Sequence, residues 1–172
     1  MNSEINLESL KLKTFTEQDV LDYCLLNNLN SDNIIKLNLG NNELTDISGI
    51  KLFKNLKQLD LDNNELTDIS GVKIFKNLEK LNLGNNELTD INVLRDLIKL
   101  KVLFINFNKI KDISVLQNLN NLQYLNINDL RLESDQIKYI KYLKQLKYLS
   151  CIYKGFKDIS VLYKLSKNIK CY

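Results

Sequence analysis

Leu78 to Lys99, LEKLNLGNNELTDINVLRDLIK, carries the pattern that decides the fold: Leu78, Leu81, Leu83, Asn86 and Leu88 are spaced 3, 2, 3 and 2 residues apart. The same spacing restarts at Ile34, Leu56, Leu78, Leu100, Leu122 and Leu146, in units of 22, 22, 22, 22, 24 and 23 residues, and Ile169 opens a seventh. Self-similarity at a fixed period of about 20–50 residues marks a stack in which each unit buries its apolar face against the next.

Each unit reads LxxLxLxxNxL and then a second half close to LTDISGIKLFKN. In LxLxx the side chains alternate, so the leucines share one face and their neighbours the other. Successive units then pair as parallel strands about 4.8 Å apart. Asn42, Asn64, Asn86 and Asn108 fall where the chain must bend, and a buried carboxamide there can bond backbone groups that the bend leaves free. A ladder of asparagines is expected. Units five and six carry Leu130 and Lys154 at that place and differ in length, so an irregular C-terminal end is expected. In the second half the apolar residues stride by three, as in Ile47, Ile50 and Phe53 or Ile91, Leu94 and Leu97, which suits 3₁₀ turns better than an α-helix. Asp46, Asp68, Asp90, Asp112 and Asp158 precede these turns and are expected to cap them.

The fold class is thus α/β: a solenoid with a parallel β-sheet on its concave face and short 3₁₀ turns on its convex face. Residues 1–33 are expected to form an N-terminal cap, because an open repeat would present its core to water. Thr16 with Glu17, Gln18 and Asp19 resembles a helix start, and Val20, Leu21, Cys24 and Leu25 follow at helical spacing, giving a helix from about 17 to 28. Leu7, Leu10, Leu12 and Phe15 repeat the 3, 2, 3 spacing and suggest a degenerate first strand. Six repeats fill 34–168, and 169–172 reads as a truncated seventh strand.

The xDIxxLxxL continuation after LxxLxLxxNxL, at 22 residues, resembles the internalin-like class of leucine-rich repeats, shared by bacterial adhesins and phosphatase-regulating subunits. The resemblance covers residues 34 to about 168. It implies a concave protein-binding face without naming the partner.

Composition narrows the function. There is no histidine, there are five glycines, and the three cysteines Cys24, Cys151 and Cys171 have no ligand-like spacing, so no enzyme, cofactor or metal site is expected. Asp60 and Asp62 are too few carboxylates to hold calcium. No apolar run approaches the roughly 20 residues of a membrane span, and the N-terminus lacks the basic start and apolar core of a secretory signal, so a cytoplasmic location is expected. The lack of alanine and proline beside abundant asparagine, lysine and isoleucine suggests codon bias from an AT-rich genome.

Function should reside in the outward residues of the strands. One column reads Lys36, Gln58, Lys80, Val102, Tyr124, Tyr148, a second Asn38, Asp60, Asn82, Phe104, Asn126, Ser150, and a third Asn41, Asn63, Asn85, Phe107, Asp129, Tyr153. All are polar for three repeats and then acquire aromatics. Val102, Phe104, Phe107, Tyr124, Tyr148, Ile152 and Tyr153 are the candidate partner-binding residues of a non-catalytic, protein-binding module, since large exposed apolar patches usually mark contacts. The alternative is a structural or self-assembling protein that forms a homodimer through an uncapped C-terminal edge. Residues 1–135 carry a net charge of −5, whereas 136–172 hold nine lysines and one acid, a net +8. Those lysines are spread over several faces, without arginine or a recognised motif, which disfavours nucleic acid as the partner.

Overall fold

The computed structural model describes residues 3–133 and 135–152, together with the backbone of 170–171. Eight short strands form one parallel sheet in chain order: β1 (Glu4–Asn6), β2 (Lys36–Asn38), β3 (Gln58–Asp60), β4 (Lys80–Asn82), β5 (Val102–Phe104), β6 (Tyr124–Asn126), β7 (Tyr148–Ser150) and β8 (Lys170–Cys171). The register is in step throughout. Leu37, Leu59, Leu81, Leu103, Leu125 and Leu149 stand in one row, the central buried residue of each strand. A slip of one residue would turn that whole row to solvent, so burial itself fixes the pairing.

The wall opposite the sheet is built of 3₁₀ turns at Ser48–Leu52, Ser70–Ile74, Asn92–Asp96, Ser114–Asn118 and Gln136–Tyr142. The stride of three places Ile47, Ile50 and Phe53, and their counterparts through Ile137, Ile140 and Leu143, in the core, while Ile159, Leu162 and Leu165 lie outside the described residues. Between the two walls the leucines are almost wholly enclosed, each side chain contributing about 1.5–3 kcal/mol by leaving water. Oδ1 of Asp46, Asp68, Asp90 and Asp112 accepts the backbone N–H two residues on, at 2.7–2.8 Å, and so satisfies the first N–H of each turn from one position before the N-cap, which is an isoleucine with no side-chain bond of its own. Asp158 lies outside the described residues.

The asparagine ladder is present. Asn86 Nδ2 donates to the carbonyls of Leu61, Leu83 and Gly84 at 2.9, 3.2 and 2.9 Å, while its Oδ1 accepts from Leu66 N–H at 3.0 Å. Asn64 and Asn108 repeat these bonds one unit earlier and one later. Each amide thereby ties its own bend to the preceding repeat. Leu130 ends the series: it is buried, but it has no polar atom with which to continue it. Beyond it the convex turn lengthens to seven residues, and Gln136 Oε1 reaches back to accept Ile113 N–H at 3.0 Å. Lys154 lies outside the described residues.

The N-terminal segment corrects two expectations. A first strand exists, but it is β1, whose Ile5 pairs with Leu37, rather than one built on Leu10 and Leu12. Ile5 and Leu7 are buried, whereas Leu10 occupies the ladder position and is 56 % exposed. With no earlier strand to bond, that position requires no amide, and Asn42 Oδ1 accepts both Leu10 N–H and Leu12 N–H. The helix α1 spans Glu17–Leu26, capped by Thr16 and Asp19 in a reciprocal box. Val20 and Cys24 point inward, but Leu21 and Leu25 face solvent, because one side of a ten-residue helix suffices to close the first repeat. Burial pushes the Cys24 thiol up from its ordinary pKa. The cap is seated at Gly49, where a Cβ would lie 2.3 Å from the Thr16 carbonyl oxygen.

Candidate functional site

The exposed sheet face is built from the residues that alternate with the buried leucines, and its two halves differ. In the first three repeats it is a polar trough lined by Glu4, Lys36, Asn38, Gln58, Asp60 and Lys80. Its side chains are engaged with one another. Glu4 pairs with Lys36 at 3.6 Å, Asp60 Oδ2 accepts from Asn82 Nδ2 at 3.3 Å, and Asp62 Oδ1 accepts from Asn85 Nδ2 at 3.2 Å. Asn63 Nδ2 donates to Asn41 Oδ1 at 3.0 Å, and Asn41 donates to Glu8 at 2.7 Å.

The second half begins at β5. Register places Val102, Tyr124 and Tyr148 side by side on three neighbouring strands, with Phe104 beside Asn82 and Asn126 in the adjoining row. Tyr124 and Tyr148 stack with ring centroids 4.5 Å apart and planes 10° from parallel, so part of the aromatic surface is satisfied internally. Phe107 (51 % exposed) and Ile152 (56 %) are the most open of the group, Tyr124 is 38 % exposed, and Val102, Phe104 and Tyr148 are half-buried. Register thus sets Val102, Phe104, Tyr124 and Tyr148 on one sheet face, and Phe107 and Ile152 follow the ends of β5 and β7. Tyr153 lies outside the described residues.

Two features of this half were not legible in the sequence columns. First, Asn41, Asn63, Asn85, Phe107 and Asp129 all have left-handed backbone, with φ of 54°, 53°, 49°, 52° and 51°. The bend requires this conformation whatever the side chain. Asparagine and aspartate tolerate it, whereas for most L-residues it costs roughly 1–2 kcal/mol. Phe107 therefore holds a strained backbone and an open ring together, and an aromatic ring cannot make the amide bonds of Asn41, Asn63 and Asn85.

Second, the last residue of each strand, which faces outward, usually accepts the N–H two residues on. Asn6, Asn38, Asp60, Asn82 and Asn126 do this for Glu8, Gly40, Asp62, Gly84 and Asn128, at 2.9–3.2 Å. Phe104 has no acceptor to offer. The backbone N–H of Asn106 accordingly makes no hydrogen bond to the described residues, nor does its side-chain amide, although Asn106 is only 9 % exposed. The signal was the column that follows the second strand leucine, Glu8, Gly40, Asp62, Gly84, Asn106, Asn128 and Ile152, read against the substitution at Phe104.

At the boundary between the halves Lys101 Nζ donates to Glu79 Oε2 at 2.7 Å. That hydrogen bond, aided by the lysine's charge, holds the Glu79 carboxyl below its ordinary pKa. Among the described residues no helix is long and apolar enough to cross a membrane.

Comparison with known proteins agrees with this geometry. The family model described as leucine-rich repeats in two copies matches residues 32–74, 54–96 and 76–118. Among solved structures, internalin C2 of Listeria monocytogenes superimposes with a TM-score of 0.83 at 28% identity, over 98% of this chain and 69% of that one. The internalin inlF of the same organism gives 0.74 at 30% identity, over 96% and 57%. A plant peptide hormone receptor, RGFR1 in complex with RGF2, gives 0.66 at 25% identity, over 86% of this chain and 25% of the receptor. A sequence search of curated proteins finds no match. A two-wall solenoid with a continuous asparagine ladder, matched by the family model over half its length and by internalins along nearly all of it, belongs to the leucine-rich repeat family in its internalin-like form.

Proposed function

We propose that this chain is a non-catalytic protein-binding module whose contact surface is the aromatic half of the sheet, formed by Val102, Phe104, Phe107, Tyr124, Tyr148 and Ile152. The observation that carries the proposal is Phe107. Its backbone is held at φ 52°, and its ring remains half exposed, so neither local conformation nor burial accounts for a phenylalanine there. Strained, open aromatic positions cluster where another molecule supplies the missing contact. The Tyr124–Tyr148 stack adds a flat platform beside it. Leucine-rich repeats of this form serve generally as binding scaffolds, and the plant receptor that resembles this chain was solved with RGF2 bound.

The test replaces two rings. Phe104→Ala with Tyr124→Ala is expected to abolish capture of a protein partner from source lysate, while the circular dichroism and thermal midpoint stay close to those of the wild type. Undiminished capture by a folded double variant would remove the aromatic half from consideration as the contact surface.

A further inference from the structure

Three departures converge on a single repeat. Phe104 stands where every other described strand from β1 to β6 has an asparagine or aspartate that closes onto the N–H two residues ahead. The Asn106 N–H is thereby left open, and the side-chain amide of this largely buried residue makes no bond to the described residues either. Phe107 follows at once, with its ring exposed on a left-handed backbone. Asn128, the equivalent residue one repeat on, shows what a satisfied amide looks like here: its Nδ2 donates to Ser150 Oγ at 2.8 Å and its Oδ1 accepts Ile152 N–H at 2.7 Å.

We infer that Asn106, flanked by Phe104 and Phe107, is a socket for a main-chain carbonyl of a bound polypeptide whose neighbouring apolar side chain rests on the two rings. The socket rests on the sheet-face proposal above and specifies which atoms do the recognising. Two donors, the backbone N–H and Nδ2 of Asn106, are available to one oxygen: the residue is largely buried, yet among the described residues no side-chain polar atom is both fully enclosed and unpaired, so its amide remains reachable from outside. The side chain's own oxygen remains to accept the partner's next N–H. A neutral carbonyl fits better than a carboxylate, because Asp62 lies alongside. A Cβ placed on Gly84 would sit 2.5 Å from Asp62 Oδ1 and 3.0 Å from both polar atoms of the Asn106 amide, so glycine at that position is what lets the two side chains approach. The nearby carboxylate repels an anion and leaves a peptide carbonyl unpenalised. The rings select for an apolar residue at that point of the partner, and the amide selects for a backbone in extended form that presents its polar edge.

The test uses peptides selected on the wild-type chain from a phage-displayed random dodecapeptide library, resynthesised with amidated C-termini and titrated by calorimetry. Asn106→Asp, which exchanges the Nδ2 donor for an oxygen, should raise Kd about tenfold, the ratio that one lost hydrogen bond carries. Phe104→Asn, which gives the Asn106 N–H an internal acceptor and removes a ring, should raise it at least as much without lowering Tm. In nitrogen-15 spectra of the wild type, the Asn106 amide proton should move downfield when peptide binds. If binding is lost in Phe107→Ala with Tyr124→Ala but unchanged in Asn106→Asp, and the Asn106 amide proton stays where it was, the socket is overturned while the sheet-face proposal survives. Peptides that bind only with a free C-terminal carboxylate also overturn it. Failure to select any peptide, or selection of peptides indifferent to all these variants, counts against both.

Discussion

Repeats one to three and repeat four share a skeleton and differ in what they leave unfinished. In the first three, the outward asparagines and aspartates bond their own backbone and one another along the stack, so that surface is complete in itself. In repeat four the buried row is unchanged, since Leu103 pairs in register with Leu81 and Leu125, yet the outward positions hold Phe104 and Phe107 and leave Asn106 open. A solenoid separates the residues that build it from those that face a partner. The second set can therefore change abruptly from one repeat to the next without disturbing the first.

The largest way to break the comparison is to attack what the two regions share. Asn86→Ala would leave the Leu66 N–H without its buried acceptor, whereas the carbonyls of Leu61, Leu83 and Gly84 keep Asn64, Asn108 and the Asn63 N–H as donors, so at about 1–3 kcal/mol for one unsatisfied group a loss of roughly 2 kcal/mol is expected in urea unfolding. A loss below about 1 kcal/mol would show that the ladder is decorative.

A smaller effect sharpens the contrast directly. Phe107→Asn should stabilise the chain by about 1 kcal/mol by easing the left-handed backbone, and the reciprocal Asn85→Phe should destabilise it by a similar or larger amount, since the bond to Asp62 is lost too. Equal stabilities would mean that Phe107 carries no strain.

The smallest effect lies at the boundary, and it is read by titration. Lys101 holds the Glu79 carboxyl below its ordinary value of 4.5, so the stability this pair lends is complete above that pH and is lost as pH falls through the lower, folded midpoint. Lys101→Met should move the Glu79 midpoint, followed by carboxyl NMR shifts, back up. An unmoved midpoint would show that the pair is broken in solution.

Much of this was legible without coordinates. The spacing of Leu78, Leu81, Leu83 and Asn86 dictated strand, bend and stack, because burial leaves only one register in which all those leucines are inside. Thr16 and Asp19 marked the helix start for an equally local reason. The first strand was misplaced because Leu10 and Leu12 mimic the leucine spacing while Ile5 and Leu7 do the burying, and only pairing with β2 distinguishes the two. Likewise Leu21 and Leu25 have helical spacing, but the size of the face they would need to cover is set by the neighbouring repeat.

At the candidate site the same division holds. The outward strand residues Val102, Phe104, Tyr124 and Tyr148 followed from alternation alone, since a period of two assigns every strand residue to a face, whereas Phe107 was found by its place just before the ladder asparagine. That Tyr124 and Tyr148 stack, that residue 107 must take left-handed backbone, and that Asn106 is left with open donors could not be read from alternation. Each depends on where a neighbouring strand places its atoms. Periodic burial is a property of the chain, so the sequence determined the solenoid. Hydrogen-bond satisfaction is a property of assembled neighbours, so only the tertiary structure decided which repeat is left incomplete.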